Sequence, residues 1–240
     1  MGFKTSLYAV GPGVPRVDLV AHHEGGAGAA AEAARRWFPG VLGEPLGTAD
    51  LFEGGYPGEG ELYVATFGPT TLFGGGPVLG EHRDRLAAAA AAAGLMSWEL
   101  NIHSVVDLCQ FEVHDETGRT VRALDIYADA DPQQVTEGAV GDPLPFEVPY
   151  WDGEHAEVDD YPHPFHPLEL GEAAMAWMFG SFGEGAPDDA VQRGLGDLLD
   201  PFDVPMHGFR VEASRQRPGT PPPAAPTTAP RKGLLRRLFG

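Results

Sequence analysis

The chain has 240 residues, 16 Lys and Arg against 35 Asp and Glu, and a single cysteine. That length allows one ordinary domain with appendages, and the lone Cys109 excludes both an internal disulfide framework and a cysteine-based zinc cage. Removing the six cations that lie beyond residue 212 leaves 10 basic and 35 acidic side chains in residues 1–212, a net of −25 that repels phosphate backbones and excludes nucleic acid as a partner of the body.

Lys4–Val10 reads as a first strand, closed by Gly11-Pro12-Gly13. A short apolar run, Val17–His22, is expected to pair or pack beside it. Ala27–Phe38 is Ala-rich, with Arg35 and Arg36 in its last turn and Pro39-Gly40 beyond, the signature of a helix and its stop. Glu61–Phe67 alternates as a strand, and Thr70–Phe73 extends it. Glu81–Ala93 predicts a helix stopped by Gly94; its Ala run favours helix intrinsically. Trp98–Val113 and Arg119–Tyr127 carry the strongest strand patterns, joined by the turn Asp115-Glu116-Thr117-Gly118. A Pro-rich segment follows, then a helix over Leu168–Phe182 and an apolar cluster over Pro201–Val211.

These elements predict an α+β fold: one domain over 1–212, with a mixed, largely antiparallel sheet and about three packed helices. Residues 213–230 are Pro/Thr/Ala-rich and read as a disordered linker. Residues 231–240 form a basic amphipathic motif, with Leu234, Leu235, Leu238 and Phe239 beside Arg231, Lys232, Arg236 and Arg237. So short a segment orders only on a surface, so docking on a protein partner or an anionic membrane is expected of it. No run approaches the length of a membrane span and no secretory h-region follows Lys4, so a cytoplasmic location is expected, peripheral to the membrane through the tail.

The densest chemistry lies in residues 142–182. Pro-fixed turns hold Trp151, Glu154, His155, His163 and His166 there, and with His207 these suggest an aromatic, His-lined ligand cleft. His166 and Glu169 have the spacing of a metal pair on one helical face. Pro167 at the first helical position and Glu169 at the third instead write a helix start, with His166 as its cap. His103-Ser104-Val105-Val106-Asp107 contains the residue types of a hydrolase triad. On a continuous strand, however, His103 and Asp107 stand roughly 13 Å apart and Ser104 points away. His103, Val105, Asp107 and Cys109 then form a row on one face of a central strand, a candidate pocket wall. Gly54-Gly55 and Gly74-Gly75-Gly76 lack the spacing and the Lys of a phosphate-cradling loop. No metal site and no cofactor is predicted.

The pieces Lys4-Thr5, His103-Ser-Val-Val-Asp107, Gly141-Asp-Pro-Leu-Pro-Phe-Glu147, Pro149-Tyr-Trp-x-Gly-Glu-His155, Pro164-Phe-His-Pro-Leu-Glu-Leu-Gly-Glu172 and His207-Gly-Phe209, in that order, resemble an uncharacterised actinobacterial family of unknown function. The resemblance spans about residues 1–212 and implies a compact cytoplasmic domain without supplying an activity. Members often carry an acidic turn after the first strand, which Gly11-Pro12-Gly13 replaces here. Three functions remain open from sequence. The first is an accessory protein docking through its C-terminal arm. The second is a hydrolase-like or metal-assisted enzyme using His103, Asp107, His155, His166 and Glu169, and the third is a small-molecule binding domain.

Overall fold

The computed structural model describes residues 3–22, 24–152, 162–163, 165–183 and 198–212. Its centre is an eight-stranded sheet built from β1 (Lys4–Gly11), β2 (Leu42–Asp50), β3 (Glu61–Phe67), β4 (Thr70–Gly74), β5 (Met96–His103), β6 (Leu108–His114), β7 (Thr120–Ile126) and β8 (Pro205–Val211). The strand order is β2-β8-β3-β4-β1-β5-β6-β7, and every strand pair in it is antiparallel. Among the described residues seven helices surround the sheet: α1 (Pro15–Ala21), α2 (Ala27–Trp37), α3 (Leu51–Gly54), α4 (Gly76–Ala92), α5 (Pro132–Gly138), α6 (Val148–Trp151) and α7 (Pro167–Phe179). The three of 11 residues or more, α2, α4 and α7, correspond to the three helices expected from sequence. No helix among the described residues is long and apolar enough to cross a membrane.

Period-2 alternation sorts the sheet into two faces. From β1, Leu7 and Ala9 join Trp98, Leu100, Ile102, Phe111 and Val113 in one core, covered by α7 and by Leu19 of α1. Tyr8 and Val10 join Leu62, Val64, Phe73 and Phe209 in a second core under α2 and α4. β1 is therefore buried on both faces, which is why it reads as a nearly continuous apolar run.

Several elements depart from the sequence reading for identifiable reasons. Val17–Ala21 lies in α1 and His22 is its C-cap, because Pro15 opens a helix at its first position; Leu19 is buried, while Val17 and Val20 are exposed. β2 is a strand with little strand signal. It occupies a sheet edge, where Pro45 and two register shifts are tolerated and blunt further pairing. Thr70–Phe73 does not extend the preceding strand but turns back beside it as β4. α4 begins at Gly76, with Pro77 in its first turn, so the glycine triplet is a helix entry.

The continuous strand expected over Trp98–Val113 is in fact a hairpin. Residues 104–107 turn between β5 and β6, with Asp107 at φ 45°, and the Val106 amide donates to the His103 carbonyl at 3.2 Å, as in a tight turn. The predicted row His103–Asp107–Cys109 therefore does not exist. Cys109 pairs with Ile102 and is fully buried in the core under α7, where burial pushes its thiol far above the ordinary range. The following turn, 115–118, forms where expected. Asp115 accepts from the Thr117 and Arg119 amides at 3.0 and 3.1 Å.

Candidate functional site

The histidine- and tryptophan-rich block turns out to be a framework. Glu147 is fully buried and paired with the Arg122 guanidinium, which also donates to the Val140 and Gly141 carbonyls at 3.1 and 3.0 Å. The Leu144 amide completes the carboxylate's shell at 2.7 Å. This cluster ties the edge strand β7 to the Pro-rich segment. Trp151 stands edge-on to Phe165 at 5.0 Å, and the Tyr150 hydroxyl donates to the Glu169 carbonyl at 3.1 Å. His163 Nε2 meets the Tyr127 carbonyl at 3.1 Å. His166 Nδ1 accepts the Leu168 amide at 3.2 Å as the N-cap of α7. Replacing His166 with Ala is expected to cost about 1 kcal/mol, the usual worth of an N-cap, in a denaturant titration.

Those predicted site residues that are described do not converge. Gly171 of α7 packs against Ile102, so the next residue, His103, faces the opposite side of the sheet from His166 and Glu169. His207 lies on the His103 side but on β8, four strands from β5 and therefore roughly 19 Å away at about 4.8 Å per strand. It contacts Thr48 Oγ1 at 3.4 Å. Asp107 sits in the β5–β6 turn. Glu154, His155 and the tail residues Arg231 to Phe239 lie outside the described residues.

Polar side chains gather elsewhere, on the half of the sheet beside α4. The β5 register places Ser97, Glu99, Asn101 and His103 opposite His114, Glu112, Gln110 and Leu108 of β6, and opposite Val10, Tyr8, Ser6 and Lys4 of β1. A groove of about 520 Å³ opens over them, walled by Arg83 and Asp84 of α4 and rimmed by Tyr56. A smaller extension runs past Arg83 toward Glu112 and Asp125.

The groove floor is a polar network of two hydrogen-bonded parts bridged by Arg83. Ser6 Oγ donates to Asn101 Oδ1 at 2.6 Å, and the Asn101 amide donates to Glu99 Oε1 at 3.0 Å and to Gln110 Oε1 at 3.4 Å. Gln110 passes the chain to Asp125 at 3.3 Å. His114 and Thr120 hold Glu112 at 3.2 and 3.1 Å. Arg83 reaches Glu99 and Glu112 from above, 3.6 Å from each. Both separations exceed the roughly 2.7–2.9 Å of a charge-assisted hydrogen bond, so the guanidinium is only loosely seated.

Glu99 is the chemically unusual member. Only 6% of it is exposed, and its Oε2 accepts no hydrogen bond from the described residues. Burial pushes its carboxyl above the usual range, while the Asn101 hydrogen bond and the Arg83 charge oppose that shift. Beside it in register, burial also raises the Tyr8 phenol. Ser6 donates to an amide oxygen rather than to a base, so it is not an activated nucleophile. Among the described residues no group of three His, Cys, Asp or Glu is arranged to hold a metal ion. What the groove offers is hydrogen bonding and an acidic field, from Glu99, Glu112, Asp84 and Asp125 against Arg83 and, at the rim, Lys4, whose Nζ lies 5.6 Å from the Tyr56 ring centroid.

Sequence reasoning passed over Ser6, Arg83, Glu99, Asn101, Gln110 and Glu112. The signal was present in two runs, Trp98-Glu-Leu-Asn-Ile-His103 and Cys109-Gln-Phe-Glu-Val-His114, each with apolar and polar residues alternating. Fused into one strand, they could not be seen as facing rows.

The family model of a family of unknown function, DUF6928, matches residues 5–209, and the chain belongs to that family. No curated protein and no solved structure matches it.

Proposed function

We propose that this domain binds a small polar molecule carrying an ammonium or similar hydrogen-bond-donating cation in the groove over β1, β5 and β6. The observation that carries the reading is Glu99, a buried carboxylate whose Oε2 accepts no hydrogen bond from the described residues and meets only the Arg83 guanidinium, at 3.6 Å, in a groove of ligand size. A buried acceptor that lacks a hydrogen bond is costly even beside a long ion pair, and a donor that displaces the loosely seated Arg83 relieves that cost while keeping a positive charge at the carboxylate. Asn101 and Gln110 then orient neutral parts of the ligand, and Tyr56 offers an aromatic wall at the rim. The surrounding carboxylates disfavour an anion.

Three probes of one length and different charge test this by amide chemical shifts on the full chain: 1,4-diaminobutane, 1,4-butanediol and succinate. Diaminobutane is expected to shift the amides of Glu99, Asn101 and Gln110, and succinate is not. Glu99→Gln removes a charge-assisted bond worth roughly 1.5–3 kcal/mol, which corresponds to a loss of about 10- to 100-fold in affinity. Acidification weakens binding as Glu99 takes up a proton through its raised pKa, in the field of Tyr8 from β1, Glu112 from β6 and Arg83 and Asp84 from α4. Preference for succinate would reverse the charge assignment but keep the groove. Silence of the β5 and β6 amides to all three probes would end the reading.

A further inference from the structure

Two aromatic rings stand stacked and exposed at one end of the sheet, away from any role in the groove network. Phe52 of α3 and Phe202 of the 3₁₀ turn Pro201–Asp203 have centroids 5.1 Å apart, with exposures of 37% and 60%. Phe3 backs Phe52 from the core side at 5.7 Å. Carboxylates frame the pair. Asp50 caps the Glu53 amide at 2.8 Å and Asp200 caps the Phe202 amide at 3.0 Å, while Glu53 and Asp203 are exposed beside them. Neither residues 42–61 nor residues 198–209 contain a Lys or Arg. The platform is thus apolar at its centre and acidic at its rim.

Its complement is written at the end of the same chain. Residues 231–240 combine Leu234, Leu235, Leu238 and Phe239 with Arg231, Lys232, Arg236 and Arg237, apolar and basic where the platform is apolar and acidic. The described residues end at Glu212, one strand length from Phe202, or about 24 Å at roughly 3.4 Å per residue. Residues 213–230 span about 55 Å if extended as polyproline II, at about 3.1 Å per residue, and average about 23 Å as a coil. The coil average matches the separation from the platform and the extended length is the outer reach, so the arm can meet it. A tether of this length supplies an effective concentration of order millimolar, which favours the chain's own arm over a second copy at micromolar protein.

We infer that residues 231–240 dock in cis on the Phe52–Phe202 platform, Leu and Phe on the rings and the cations on Asp50, Glu53, Asp200 and Asp203. A nitroxide on Gly240→Cys tests this, since Cys109 is buried and does not compete for the label in the folded chain. Relaxation broadening is expected to peak at the amides of Glu53, Gly55 and Asp203, to survive tenfold dilution and to weaken at high salt. F202D should abolish it, as should R236E with R237E, which leaves the folded body untouched. Broadening that peaks elsewhere overturns the inference. Broadening lost on dilution assigns the contact to a second copy and also overturns it. Absence of broadening overturns it as well, and co-sedimentation with phosphatidylglycerol vesicles would then assign the arm to a membrane.

Discussion

Glu147→Ala is expected to destabilise the domain by about 3–5 kcal/mol, because it leaves the Arg122 guanidinium buried and unpaired. Arg122 is 2% exposed and Glu147 0%, so water cannot replace the missing partner. The loss spreads through the local framework. Glu147 also receives the Leu144 amide at 2.7 Å, and Arg122 holds two carbonyls of the segment that bridges to β7. For a chain of this size the midpoint should fall by roughly 10 °C in a thermal melt. The paired replacement Arg122→Met with Glu147→Leu should recover most of the loss, since both charges then leave the interior together. A cost below about 1 kcal/mol for Glu147→Ala would mean that the pair is hydrated in solution.

Gly74→Ala is the second large effect. A β-carbon on Gly74 would lie 2.0 Å from the Gly54 carbonyl oxygen, a backbone atom that cannot rotate away. The two glycine clusters of the sequence therefore serve close approach. Gly54 and Gly55 let the end of α3 lie against β1 and β4, where the Ser6 amide donates to the Gly55 carbonyl at 2.8 Å. That contact places Tyr56 at the groove rim. Overpacking here is expected to cost about 1–3 kcal/mol in a denaturant titration and to weaken diaminobutane binding at the same time, because the rim moves with the backbone. Gly28→Ala, where the added carbon meets nothing within 4 Å in α2, serves as the control and should stabilise by about 0.5 kcal/mol. Equal effects at the two positions would refute the close-approach reading.

Local chemistry was sufficient for the elements whose signals are local. The β1 apolar run, the Ala-rich helix at 27–37, the 115–118 turn and the His166-Pro167 helix start all depend on φ preferences, caps and periodicity within a few residues, so the amino-acid sequence determined them unaided. It also determined the acidic body and the basic, apolar motif at 231–240. β2 was not legible, because an edge strand owes its pairing to β8, more than 150 residues away in sequence. The site was not legible for the same reason. Glu99 becomes unusual only when β1 and β6 pair on either side of β5 and α4 lies over the row; the alternation in β5 records a two-faced strand but not what covers each face. The sequence grouped His166 with His207 in an aromatic cleft and with His103 in a candidate catalytic set, and the sheet lies between the members of both pairs. Burial and proximity are properties of long-range pairing, and only the tertiary structure decided which carboxylate is stranded in a groove and which is tied to an arginine in the core.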